Sequence, residues 1–111
     1  MDNIPEDFIN YKTTKSLNKE NVPKMFLHLH NTRNGVYGKI CVLAGTLKFY
    51  GFTDRRGEIE KEITIKMGEH AISPPQYWHK VEFLSDDTQF VVEFYAQKDS
   101  QIVLDNLSER Q

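Results

Sequence analysis

The sequence predicts an all-β domain, a sandwich or a closed barrel of the jelly-roll kind. Three observations carry this. Apolar and polar residues alternate at period two through most of residues 24–97. Clusters of Gly, Asn and Asp interrupt that alternation at short, regular intervals. A helical period shows only in residues 100–111. Repeated short alternating segments with turn signals between them are the signature of sandwiches and barrels. A closed or double-sheet arrangement also removes exposed strand edges and leaves an interior cavity.

Taken in order, residues 1–23 are mostly polar and end at Val22-Pro23, which suggests an arm with one edge strand around residues 11–17. Met25, Leu27 and Leu29 alternate with Phe26, His28 and His30, a strand pattern. Asn31-Thr32-Arg33-Asn34-Gly35 is a turn signal. Residues 36–43 are rich in β-formers, and Ala44-Gly45 turns them into Leu47, Phe49 and Gly51, a hairpin. Asp54-Arg55-Arg56-Gly57 is the next turn. Ile59, Ile63 and Ile65 then alternate with Glu58, Glu60, Glu62 and Thr64, a half-buried strand whose carboxylates face water. Gly68 ends it. A short strand over 71–73 runs into Pro74-Pro75, another strand covers 78–84, and Ser85-Asp86-Asp87 turns it into a last strand over 88–96. Ile102, Val103 and Leu107 give a short C-terminal helix or tail. The expectation is about eight strands in a single domain over 1–111, with a core at about 9–96 and arms at 1–8 and 98–111.

Bulk properties narrow the function. The chain has 111 residues, 39% of them hydrophobic and 27% charged, with a formal net charge of −2. A nucleic-acid partner needs a positive field to displace counterions, so none is expected. The single cysteine, Cys41, rules out an internal disulfide and reads as an inert thiol in an apolar run. The first residues have neither a basic start nor an apolar stretch, and no apolar run approaches the ~18 residues of a membrane span. The expected location is cytoplasmic, with no membrane partner. Phosphate-binding glycine loops and the nucleophile elbow are missing from the sequence.

The histidines are where chemistry is expected. In a strand, His28 and His30 point to one face with backbones about 6.6 to 7 Å apart, a spacing from which two imidazoles can converge on one metal ion. His79 follows the turn Pro74-Pro75-Gln76-Tyr77 and by alternation shares its face with Val81 and Phe83. Together the three reach the three-ligand minimum of an open metal site; separately, each can be an ordinary hydrogen-bonded or surface histidine. His70 lies by a turn and reads as a surface residue. Glu82 and Glu93 alternate away from the inward face, and either reaches a site only through a bulge. Tyr37 and Lys39 share a strand face with Cys41, and Lys39 is a candidate cation beside an anionic ligand.

Gly68, Pro74, Gln76 and His79 occupy the spacing G-x5-P-x-G-x2-H and resemble the second cupin motif. His28-x-His30 with the hairpin to Gly45 resembles the first. The first motif carries a glutamate where this chain has Gly38, with Lys39 beside it, and the second carries a glycine where this chain has Gln76. The resemblance is tighter to one family. Phe26 through Tyr50, with His30-Asn31-Thr32 and Val42-Leu43-x-Gly45-x-Leu47-Lys48-Phe49-Tyr50, resembles the N-terminal domain of the tellurite-resistance protein TehB and the stand-alone YeaR-like proteins. So does Pro75-Gln76-x-Trp78-His79-x-Val81-Glu82, followed by Leu84-Ser85-Asp86-Asp87. The resemblance covers about 9–96 and implies a cupin-type jelly-roll barrel. It maps His30, His79 and Glu82 onto the pattern, and His28 less regularly.

This resemblance implies a small metal-binding protein of the tellurite and toxic-oxyanion resistance type. TehB proteins continue into a methyltransferase, and the chain ends at Gln111 without a glycine-rich nucleotide loop, so the expectation is a domain that is not itself a methyltransferase. The expected metal is divalent: zinc first, with iron or nickel suiting imidazole and carboxylate ligands comparably. His28, His30 and His79 are the expected ligands, with Glu82, Gln76, Tyr37, Lys39 and Glu93 around them. The expected partner is a small molecule or oxyanion, and a homodimer is expected because cupins pair through sheet edges. The alternative is a metal-dependent oxygenase or isomerase acting on a small molecule in an aromatic-lined cavity.

Overall fold

In the computed structural model, which describes residues 3–109, two four-stranded antiparallel sheets face each other across the core. The strands are β1 (Phe8–Thr13), β2 (His30–Asn31), β3 (Val36–Ala44), β4 (Thr46–Phe52), β5 (Ile59–Lys66), β6 (His70–Ser73), β7 (Trp78–Phe83) and β8 (Gln89–Gln97), followed by helix α1 (Gln101–Glu109). One sheet has the order β1-β8-β3-β6 and the other β2-β7-β4-β5. Consecutive strands mostly change sheet, which is the jelly-roll wiring of two Greek keys. The all-β expectation and the C-terminal helix stand. The strands pair as two separate sheets, however, and do not close into one ring. Residues 1–2 of the N-terminal arm and 110–111 of the C-terminal arm lie outside the described residues, as does the side chain of Leu107.

Period-two alternation explains the core. β3 turns Val36, Gly38, Ile40 and Val42 inward, and β4 does the same with Leu47, Phe49 and Gly51. Ile65, Val81, Phe90 and Val92 complete the inner faces. Glu60 and Glu62 are solvent-facing as the sequence predicts, but Ile59 is exposed too, because the β4–β5 register slips between Gly51 and Phe52. Helix α1 buries Val103 against Val36 and Ala96 at one end of the first sheet.

Two segments differ from the sequence reading. The edge strand is β1, at 8–13, and residue 17 makes only an isolated bridge to Phe90. Residues 24–27 form a single 3₁₀ turn, and strand pairing begins only at His30. Pro23, with φ −59°, starts that turn and its carbonyl accepts from the Phe26 amide at 3.0 Å. Phe26 is therefore buried while Met25 and Leu27 are exposed, the reverse of the alternating pattern.

Gly45 joins β3 to β4 with φ +69°, a conformation that costs a side-chain-bearing residue about 1–2 kcal/mol. A Cβ there would lie 2.6 Å from Ser85 Oγ and 2.7 Å from Thr88 Cα. Those residues clamp the hairpin: the Thr46 amide donates to Ser85 Oγ and Thr88 Oγ1, each at 3.1 Å, and Thr88 Oγ1 donates to the Thr46 carbonyl at 2.8 Å. Gly45→Ala is expected to cost roughly 2–3 kcal/mol from φ strain and overpacking. Urea denaturation checks this; a loss below about 0.5 kcal/mol, within the range of an ordinary surface substitution, would show that the clamp yields.

Candidate functional site

The site lies between the sheets. β2 and β7 pair in the register that sets His30 opposite His79. The two rings approach to 4.1 Å between centroids at 62°. Phe49 stacks on His79 at 5.5 Å and 20°, and Phe26 meets His30 edge-on at 5.5 Å. The pair is thus held by aromatic side chains from β4 and from the 3₁₀ turn.

A buried polar network fixes His79. Its Nδ1 donates to the Tyr77 carbonyl at 2.8 Å, and Ser73 Oγ and Thr32 Oγ1 stand 3.1 and 3.3 Å from the same nitrogen. The two hydroxyls also bond each other at 2.7 Å. A carbonyl can only accept, so Nδ1 carries the proton and Nε2 of the neutral ring keeps its lone pair. Nε2 has no hydrogen-bond partner among the described residues, and it is not sealed in: the buried side-chain polar atom without a partner is Ser100 Oγ. His30 donates from Nδ1 to the His28 carbonyl at 3.0 Å. Burial pushes His79 down to about 4, with the charge of His30 adding to the effect and the Tyr77 carbonyl opposing it. Burial lowers His30 too, against the His28 and Met25 carbonyls. Both rings are therefore neutral at pH 7.

Phe26, His30, Thr32, Ser73 and His79 line a cavity of about 250 Å³. Thr32, Ser73 and His79 are its buried polar floor, and Phe26, Val36, Ile40, Val92 and Phe94 form its walls. Its exposed lining residues include Lys12, from β1, and Arg33, from the turn between β2 and β3, so they stand at the mouth. Arg33 lies close enough to Tyr11 to oppose the upward push that burial gives its phenol. No Asp or Glu lines the cavity among the described residues. Neither Lys12 nor Arg33 has an ion-pair partner among the described residues, unlike Lys19 with Asp86 and Lys48 with Glu62.

Of the residues singled out from sequence, the fold brings together His30 and His79. His28 ends the 3₁₀ turn with an exposed side chain, so the expected convergence of His28 with His30 on one strand face does not occur. Tyr37 and Lys39 face outward from β3, where Tyr37 meets Phe8 edge-on at 5.2 Å. Glu93, paired in register with Lys39, accepts from the Tyr95 hydroxyl at 2.8 Å on that same outer face. Glu82 faces outward from the second sheet and accepts from the Tyr50 hydroxyl at 2.7 Å. Gln76 is exposed with φ +56°, which explains the glycine in the motif it resembles, and its amide donates to the Thr32 carbonyl at 2.9 Å. His70 is exposed at the start of β6. Cys41 is half-buried on the outer face of β3, and burial followed by the charge of Glu93 raises its thiol pKa, which suits an inert thiol.

A metal finds an incomplete donor set here. Among the described residues no group of three or more His, Cys, Asp or Glu is placed to hold an ion. An open zinc site uses three protein ligands; the histidine pair supplies at most two, and no reaction step through a metal follows from it. Sequence reasoning missed Thr32, Ser73, Arg33 and Lys12. The first two share inward faces with His30 and Ala71 by alternation, a signal present in the sequence. Arg33 and Lys12 come to the same cavity only through tertiary pairing.

The TehB-like domain family matches residues 2–92. The chain is 40% identical over 96 residues to a protein of Haemophilus influenzae named probable S-adenosyl-L-methionine-dependent methyltransferase TehB; the match covers 86% of this chain and 34% of that protein. It is 34% identical over 97 residues to YeaR of Escherichia coli K12, covering 84% of this chain and 82% of YeaR. A crystal structure of an E. coli K12 protein superposes with a TM-score of 0.81 at 34% identity, covering 86% of this chain and 97% of that one. The chain therefore spans about a third of the TehB relative and most of YeaR.

Proposed function

The chain belongs to the TehB-like domain family, and on that premise we propose that it is a binding domain whose jelly-roll cavity receives a small oxyanion-bearing molecule. One observation carries this reading: the cavity has two cations at its mouth, no carboxylate among its described lining residues, and hydroxyl and imidazole groups on its floor. A carboxylate-free, partly desolvated opening with Arg33 beside it favours an anion through charge-assisted hydrogen bonds. The resemblance to tellurite-resistance proteins puts tellurite among the anions to test, with the domain acting in binding and not in turnover. The methyltransferase activity in the name of the Haemophilus relative stays with that protein.

The test is a calorimetric titration with tellurite and with benzoate on the wild type and on Arg33→Gln. Binding of at least one anion, weakened about tenfold in the variant, is expected from the loss of one charge-assisted hydrogen bond. No binding of either, or affinities that ignore both Arg33→Gln and Lys12→Gln, would overturn the reading.

A second reading, zinc, iron or nickel on the histidine pair with catalysis built around it, is favoured by the unpartnered Nε2 of His79. It needs ligands from outside the described residues to complete the coordination shell. Elemental analysis of protein purified without a histidine tag tests it. Near-stoichiometric metal lost in both His30→Ala and His79→Ala would establish a metal centre, and metal-free wild type after reconstitution would remove it.

A further inference from the structure

The polarity of the cavity is graded from mouth to floor, and the gradient describes a ligand. At the mouth stand Arg33 and Lys12. In the middle, the walls are apolar. On the floor, His79 lines the cavity, and its unpartnered ring nitrogen, Nε2, is an acceptor, because the Tyr77 carbonyl holds the proton on Nδ1. An acceptor without a partner calls for a donor, and its lone pair repels an anion. A bare inorganic oxyanion would satisfy the mouth, would leave the apolar walls facing water, and would meet the lone pair of His79 if it moved inward. A cavity of about 250 Å³ lies just below the size range of pockets for drug-sized ligands. It suits a compact molecule with three parts in line.

Resting on the anion-binding reading above, we infer that the ligand class is a small organic acid: a carboxylate at Arg33 and Lys12, an apolar body against the walls, and a hydroxyl or amine that donates to Nε2 of His79. Gly38 is the residue that keeps room for the body. Its place on β3 turns inward to the cavity, and a Cβ built there meets only the Val92 Cγ1 atom, at 3.9 Å. The fold therefore has room for a Cβ at 38, and a side chain that extends beyond it takes the ligand's space.

The experiment compares four probes by calorimetry: 4-hydroxybenzoate, benzoate, 4-hydroxybenzamide and tellurite. 4-Hydroxybenzoate is expected to bind about tenfold more tightly than benzoate, through the floor hydrogen bond, and at least tenfold more tightly than the neutral amide, through the mouth. His79→Phe should abolish the advantage of the hydroxyl, leaving Thr32 and Ser73 bonded to each other. Gly38→Val should weaken all organic probes at least tenfold with an unchanged circular dichroism spectrum, and it stands in if His79→Phe does not fold. Tellurite binding at least as tightly as 4-hydroxybenzoate would overturn the organic-acid inference and leave the anion reading intact. The amide binding as tightly as the acid would overturn the anion reading itself. Equal affinities for benzoate and 4-hydroxybenzoate, or indifference to Gly38→Val, would overturn the assigned pose.

Discussion

Between pH 7 and pH 4 the domain is expected to lose about 3 kcal/mol of stability through His79 alone. In the unfolded chain this imidazole takes a proton near its ordinary value of 6.5; folded, it resists until about 4. Over that window the unfolded state binds the extra proton, so stability falls as pH falls. Each tenfold difference in proton affinity between the two states is worth about 1.36 kcal/mol, so the loss comes to roughly 3 kcal/mol. The contribution is complete well above pH 6.5, falls steadily below it, and is gone only below pH 4. His30, also held down by burial, adds in the same direction. The cause is structural: a second proton on His79 would place a cation in a buried site stripped of water, and beside His30. Urea midpoints measured at pH 7, 6, 5 and 4.5 for wild type and His79→Phe check this. The variant should show a much shallower slope. Parallel slopes would mean that the histidine is hydrated in the native state and that the cavity floor is wetter than its burial indicates.

The same histidine shows how far the sequence could be read. Its inward face followed from alternation with Val81, and the outward faces of Glu82 and Glu93 followed from the same period, with no bulge to turn them in. β3 and β4 were legible because each has one face against the other sheet, where a one-residue slip would expose every core side chain. Residues 25–30 were not. Their apolar spacing fits a strand, but Pro23 starts a 3₁₀ turn, and a strand also needs a partner; β7 offers pairing only from His30 onward. That single difference removes His28 from the site. Gln76 was legible as a departure from a glycine motif, and its φ of +56° shows that the backbone keeps the turn without the glycine. The cationic mouth was not legible at all, since Lys12 and Arg33 belong to an edge strand and a turn whose meeting depends on β1 pairing with β8.

Phe49→Ala should have the largest effect of any single substitution near the site. The ring is fully buried, sits opposite Val81 on β7 and Ile63 on β5, and lies stacked on His79. Truncating such a residue removes its transfer free energy and leaves a cavity, a combined cost of about 3–5 kcal/mol. The effect on binding has a separate origin. Thr32, Ser73 and the Tyr77 carbonyl fix one edge of the His79 ring, and Phe49 stacks on its face. Without Phe49 the imidazole can tilt toward the void, and the floor acceptor loses its aim. Ile65→Ala, equally buried in the same core, provides the comparison. Both variants should lower the urea midpoint. Under conditions where each is still folded, Phe49→Ala alone should weaken binding of 4-hydroxybenzoate, by about tenfold if the floor hydrogen bond is lost. Equal weakening in both variants would assign the effect to general loosening of the core. No weakening in either would show that the polar network alone orients His79.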